Sequence, residues 1–281
     1  MKTMTIVEIG ACHDGDPLKG VKLIEAAKAA GADYAKAQFW SSAKRLAERR
    51  QSGSEYEAIY ERYQVPGSWL HGWADAAKRV GIGFMSTCYL KEDIGSVAPH
   101  VAHFKVASFE AADEEFIRAH FPYCEGTDRQ IIVSTGLQDN RTLQSLKILR
   151  HCAATAGSKS VQVRLLHCVS AYPAPVSSLA FRQIRNEDLD GFSDHAAAGW
   201  IASGAVAVAC GAKIIEVHLR LPETDAQNPD APHALLPEQL ARYIRHVRAA
   251  EAAIGDEPWR KLNPAEDAMR PYRVKPEEAT E

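Results

Sequence analysis

The sequence has no apolar run approaching the ~20 residues that span a bilayer. Its opening segment, MKTMTIVEIG, has neither the long apolar stretch nor the cleavage pattern of a signal peptide. No membrane association and no export are therefore expected. Cysteine is sparse. Cys12, Cys88, Cys124, Cys152, Cys168 and Cys210 are scattered with no CxxC pair, which excludes a disulfide framework and predicts reduced thiols in a cytoplasmic protein. Excess positive charge is also missing, since Lys and Arg total 33 against 36 Asp and Glu for a net −3. That balance argues against nucleic acid as a partner. An anionic substrate would have to be met by local Lys and Arg. There is no Gly/Ser linker, no low-complexity tract and no GxGxxG turn after the first apolar run, so one domain without a dinucleotide fingerprint is expected.

What is present suits an ordinary globular enzyme. The 281 residues, 46% apolar and 25% charged, can bury a core without disulfides and fit the length of one (β/α)8 barrel. Short apolar runs at 5–11, 34–40, 83–88, 103–109, 130–136, 161–169, 191–195 and 214–219 read as strands. Amphipathic stretches at 18–30, 69–80, 113–120, 141–156, 200–210 and 237–254 read as helices. Residues 41–63 are too charged for core and read as a helical or loop insertion, while 177–186 is barely helical. Eight strands in βα order predict an α/β fold of the (β/α)8 TIM-barrel type over residues 1–255, followed by a C-terminal arm over 256–281. A doubly wound open sheet is the alternative. Short, evenly spaced strands and the missing Gly-rich turn favour the barrel.

Nearly every predicted strand ends in polar residues, where a barrel keeps its catalytic groups. Glu8 ends the first, with His13 beyond it, and Lys36 and Gln38 lie in the second. Ser86 and Thr87 end the third; Lys105, Ser108 and Glu110 the fourth; Ser134 and Thr135 the fifth. His167, Ser170 and Tyr172 follow at the sixth, Ser193, Asp194 and His195 at the seventh, Glu216 and His218 at the eighth. A single Ser or Thr at a strand end usually satisfies a turn amide. Lys36 and Lys105 are different: each sits inside an apolar run, where an unpaired ammonium is costly and a bound dianion would pair it. A lone histidine is more often a hydrogen-bonded core residue than a ligand. His195 and His218, on adjacent strands, could instead meet at one divalent cation whose open positions are left to water, carboxylate or substrate.

The motifs, in order and at matching spacing over residues 6–255, resemble the sialic acid synthase (N-acetylneuraminate synthase) family. They are Glu8-Ile9-Gly10 with His13 and Gly15, Lys36-Ala37-Gln38, Phe84-Met85-Ser86-Thr87, and the run from Lys105 through Glu110. Then come Ser134-Thr135-Gly136, Leu166-His167-Cys168 with Tyr172-Pro173, Gly191-Phe192-Ser193-Asp194-His195, Glu216-Val217-His218, and Asp230 with Pro237. The resemblance implies condensation of phosphoenolpyruvate with a sugar aldehyde to a 2-keto-3-deoxy sugar acid and phosphate. It implies that Lys36, Gln38, Thr87, Lys105, Ser108, Ser134, Ser170 and Ser193 bind substrate, with most of them on phosphoenolpyruvate. His195 and His218 would bind Mn2+ or Mg2+. Glu8, Glu110, Tyr172 and Asp230 would face the sugar, Asp230 near the metal waters. The chain departs from the family pattern at Cys12, Cys88, Ser170 and Ala234. The family's C-terminal antifreeze-like domain is not expected within 256–281. Exposed barrel helices leave a homodimer open.

Two other readings share these residues. A metal-dependent aldolase or lyase acting on a keto acid would keep the barrel and change the reaction. A non-catalytic sugar-binding relative would explain the departures as decay, but not why both lysines, both histidines and both glutamates remain. Every reading that includes catalysis needs Lys36, Lys105, His195 and His218 to converge on one mouth.

Overall fold

The computed structural model describes residues 2–255 and 263–274. Eight parallel strands close into a barrel in sequence order, β8 returning to pair with β1. They are β1 (Met4–Glu8), β2 (Tyr34–Phe39), β3 (Gly83–Cys88), β4 (His103–Val106), β5 (Gln130–Ser134), β6 (Gln162–Cys168), β7 (Gly191–Asp194) and β8 (Ile214–His218). All eight lie inside or within a residue of the segments expected from the apolar runs. The doubly wound alternative is excluded by the β1–β8 pairing, in which Glu8 stands opposite His218.

Helix α1 (Pro17–Ala29) opens on Asp16, whose side chain accepts from the Leu18 amide. The charged insertion is α2 (Ala43–Arg50) and α3 (Ser54–Tyr63), and α4 (Gly67–Val80) follows. Between β3 and β4 the chain makes only short turns around α5 (Ile94–Val97), a segment without helical periodicity in the sequence. The remaining helices are α6 (Glu114–Arg118), α7 (Asn140–Ala154), α8 (Arg182–Asn186), α9 (Ser203–Ala209) and α10 (Pro237–Ile254). The weakly helical stretch before β7 folds as a 3-10 turn and the five-residue α8. Of the expected C-terminal arm, Pro264–Tyr272 form an exposed 3-10 helix, and residues 256–262 and 275–281 lie outside the described residues.

Strand periodicity decides what faces inward. In β8, Ile215 and Val217 pack outward into the layer between barrel and helices, and Ile214 points inside. Glu216 and His218 share the inward face with Ile214. Ile6, Met85, Ile132, Leu166 and Ile214 plug the inside of the barrel. Above that apolar plug the interior turns ionic, at the C-terminal ends of the strands. Among the described residues no helix is long and apolar enough to cross a membrane.

Candidate active site

A cavity of ≈270 Å3 opens at the C-terminal mouth of the barrel. Glu8, Lys36, Gln38, Thr87, Lys105, Ser108 and Ser134 line it from β1 through β5. Tyr172, Ser193, His195, His218 and Asp230 close the ring. Lys36, Lys105, His195 and His218 thus share one mouth.

The floor is an ion network. The Lys36 ammonium donates to Glu8 and, over 3.0 Å, to Thr87 Oγ1; Glu216 Oε2 lies 3.4 Å away. Lys105 donates to Ser134 Oγ at 2.7 Å and the Val106 carbonyl at 3.0 Å, with Glu216 Oε1 at 3.7 Å. Ser193 donates to the same Glu216 oxygen over 2.9 Å. Burial would raise the Glu216 carboxyl, but Lys105 and Lys36 hold it down to about 2. Burial would depress Lys36, yet Glu216 and Glu8 carry it above its ordinary value. Lys105 falls below its own, chiefly through burial; Glu216 opposes this and the like charge of Lys36 adds to it.

The premise that these lysines lack a partner is therefore corrected. Glu8 and Glu216 neutralise them inside the protein. Glu216 belongs to the site, and its signal was available: a carboxylate inside the apolar run Ile214–His218, on the face that also carries His218.

Two expected site residues stand behind the cavity instead of lining it. Glu110 is 4% exposed and its Oε1 accepts from Arg50 at 2.8 and 2.9 Å. Strand β4 ends at Val106, and after a 3-10 turn over Ser108–Glu110 this carboxylate pairs with Arg50 of α2 and does not line the cavity. Arg50 itself lines the mouth, its guanidinium 4.8 Å from the Tyr89 ring centre and 4.9 Å from that of Phe109. Ser170 holds Ser108 Oγ at 2.8 Å from outside the cavity. His13 is packed among Tyr63, Trp69 and Trp73, where its Nδ1 accepts from Gly15 N, and His167 donates to the Leu179 carbonyl. Both are structural.

Above the floor sits a cluster of imidazoles. His195 Nδ1 donates to the Val169 carbonyl at 2.7 Å, which leaves Nε2 with its lone pair. The ring centres of His195 and His218 are 5.6 Å apart. His233, absent from the sequence expectations, packs 4.4 Å from His218 and 5.8 Å from His195 by ring centres. One donor atom each from His218, Asp230 and His233 lie within 4.8 Å of one another; His195 is outside this group. Burial lowers His195 to about 4 and His233 to about 3, and puts His218 well below its ordinary value, so all three rings are neutral near pH 7. Burial, against the Ala11 amide it accepts, raises Asp230 to about 6. His218 Nδ1 and both nitrogens of His233 are buried without a hydrogen-bond partner. Neutral imidazoles with unspent lone pairs beside a carboxylate fit a divalent cation.

Gly10 makes room for this arrangement. A Cβ there would come within 2.0 Å of Asp230 Oδ2, and its φ of +43° lies in the left-handed region. A second cavity of ≈400 Å3 continues from the first past Gln38, Arg50 and Tyr89. Trp40, just after β2, and Tyr56, Ile59 and Tyr60 from the insertion wall it.

Residues 23–258 match the sequence profile of the NeuB family. The chain belongs to the NeuB family. It is 31% identical over 275 residues to pseudaminic acid synthase of Campylobacter jejuni, covering 91% of this chain and 76% of that protein. It is 29% identical to human N-acetylneuraminate-9-phosphate synthase, covering 94% of this chain and 74% of that one. Among solved structures, an N-acetylneuraminic acid synthetase from Leptospira borgpetersenii superposes with a TM-score of 0.83 at 22% identity, over 97% of this chain and 92% of that one. This NeuB-family chain therefore has the (β/α)8 barrel that its strand order shows.

Proposed function

We propose that this NeuB-family chain condenses phosphoenolpyruvate with a sugar aldehyde, in the presence of Mn2+ or Mg2+, to give a 2-keto-3-deoxy sugar acid and phosphate. The family membership and the named synthases among its relatives support a biosynthetic enzyme of sugar-acid type. The observation that carries the finer reading is the junction of two halves in one cavity. Lys36 and Lys105, ion-paired with Glu8 and Glu216, and the hydroxyls of Thr87, Ser134 and Ser193 line the same cavity as His195, His218 and Asp230.

Charge supports the metal. Three cations, Lys36, Arg50 and Lys105, and three carboxylates, Glu8, Glu216 and Asp230, line the cavity, so its formal charge cancels. A phosphorylated carboxylate brought into such a site needs further positive charge nearby. A divalent cation supplies that charge and Lewis acidity toward an aldehyde oxygen.

The protein's own groups then divide the work. Lys36 and Lys105 hold the phosphate and carboxylate, with Ser134, Thr87 and Ser193 fixing orientation. C3 of phosphoenolpyruvate forms the new bond to the aldehyde carbon, whose oxygen takes up a proton. Water adds at C2 and loses a proton, and the resulting tetrahedral carbon expels phosphate. Of the two candidate glutamates only Glu8 lines the cavity, so proton transfer is assigned to its carboxylate. Tyr172, with its ring 4.3 Å from that of His195, walls the acceptor side. The aromatic extension gives the remainder of an acceptor room.

The test is phosphate release from phosphoenolpyruvate and Mn2+ against a panel of aldoses. Release with at least one aldose, abolished by a chelator, is expected. No release with any aldose, or turnover that cleaves a keto acid and frees no phosphate, would overturn the reading. One observation favours a second chemistry. The depressed Lys105 is shifted in the direction a Schiff-base lysine needs. Borohydride reduction with pyruvate decides between them, and no mass adduct on Lys105 is expected.

A further inference from the structure

His233 reaches the metal cluster by a route of its own. After β8 the chain leaves the barrel mouth and comes back: Leu235 N donates to the His218 carbonyl at 2.9 Å, and Leu235 bridges to Leu219. The loop is pinned from below. Asn228 donates to the Ala11 carbonyl at 2.8 Å and to Asp14 at 2.7 Å, while its own side-chain oxygen accepts from Asp230 N at 3.0 Å. The Asp230 carbonyl accepts from His233 N and Ala234 N. Residues 228–235 are thus a braced turn that sets a carboxylate and an imidazole beside the end of β8.

The imidazole has no other occupation. His233 is fully buried, and neither ring nitrogen has a hydrogen-bond partner. The adjoining His218 Nδ1 is also buried and unpartnered, 3.9 Å from Asp230 Oδ2. Buried polar atoms are nearly always satisfied, and an apolar side chain would fill this space without their desolvation cost. Each neutral ring carries one N–H and one lone pair, so two touching rings beside a carboxylate offer one lone pair apiece. With one ligand atom each from His218, His233 and Asp230 within 4.8 Å of one another, they point to a shared acceptor of lone pairs.

We propose that His233 is a third protein ligand, forming with His218 and Asp230 a two-imidazole, one-carboxylate seat for the divalent cation. This rests on the reading of the site as metal-dependent and is independent of the sugar chemistry. Such a donor set suits Mn2+, Fe2+, Co2+ and Zn2+ and leaves coordination positions free for water or substrate. It also holds the ion through protein ligands alone, so the metal should bind tightly before either substrate arrives.

The experiment uses the full chain freed of metal by dialysis against chelator. Mn2+ is titrated calorimetrically, and directly bound 14N nuclei are counted by pulsed electron paramagnetic resonance. Wild type should bind Mn2+ without substrate. His233→Gln should weaken binding at least about tenfold, the lower end of losses seen even for groups that only support a ligand, and should lose one nitrogen coupling. A second variant leaves all three proposed ligands in place: His195→Ala should retain two coupled nitrogens, from His218 and His233. One remaining nitrogen in His195→Ala, or unchanged affinity and couplings in His233→Gln, would overturn the assignment. Failure of phosphate release with intact couplings would sink the proposed reaction and leave this metal seat standing.

Discussion

Glu216 Oε2 lies 3.4 Å from the Lys36 ammonium, with both side chains almost wholly inside the barrel. Glu216 also faces Lys105 at 3.7 Å, so one carboxylate answers two cations. Removing one partner of a buried pair leaves the other charge uncompensated, which costs about 3–5 kcal/mol. Glu216→Gln should therefore lower stability on that scale in urea unfolding. A loss below about 1 kcal/mol would show that other groups already neutralise the lysines.

Lys105 holds its place through Ser134 and the Val106 carbonyl, and its ammonium faces the cavity floor. Under the proposed function, Lys105→Ala removes one charge-assisted contact to phosphoenolpyruvate, about 2–3 kcal/mol. Affinity measured by calorimetry should fall correspondingly while the far-ultraviolet dichroism of the fold persists. Wild-type affinity in this variant would place the anion elsewhere.

Glu110 does not line the cavity but pairs with Arg50, which does, so it is a positioning residue. Under the proposed function, with Arg50 facing the acceptor from the wall of the cavity, Glu110→Gln should raise the acceptor KM about tenfold or more, on the scale of one weakened charge-assisted bond. On the same reading, the KM for phosphoenolpyruvate, assigned to Lys36 and Lys105, should change much less. Equal rises in both constants would point to general loosening of the barrel and not to a role for Arg50 at the acceptor.

Asp33 ties three elements together far from the mouth. It accepts from Thr5 N at 2.9 Å, Thr5 Oγ1 at 2.8 Å and Arg248 at 3.0 Å, and pairs with Lys2. Burial raises its carboxyl, but Lys2, Thr5 and Arg248 outweigh this and hold it below the ordinary value. A depressed folded value stabilises above the unfolded one, near 4, and that stability is lost as pH falls through the folded value. Asp33→Asn should therefore destabilise by about 1–3 kcal/mol at neutral pH. The gap from wild type should close as pH falls from about 5 toward about 3. A gap independent of pH would assign the effect to lost hydrogen bonds alone.

Much of the fold was legible because a strand buried on both faces must be apolar almost throughout. The run Gly83–Cys88 and the helix Pro237–Ile254 occur at the bounds their residues suggested. Strand ends were less legible: residues 107–109 continue the apolar run of β4, yet the backbone turns into a 3-10 helix there. That turn is what moved Glu110 out of the mouth. Arg50 left no trace in the sequence, since one arginine on a charged helix looks like any other until the helix is laid over the barrel.

The sequence by itself determined the eight βα units and the polar residues that end each strand, because alternation of inward and outward side chains is a local property of the chain. It also marked Lys36, Lys105, His195 and His218 as residues too polar for their surroundings. Tertiary structure alone decided what neutralises them. Glu8 and Glu216 meet the lysines, and His233 returns to His218, only because β8 closes against β1 and the loop after it folds back over the mouth. Charge pairing and ligand geometry depend on distances across the barrel, and those distances are fixed by closure and not by any local pattern.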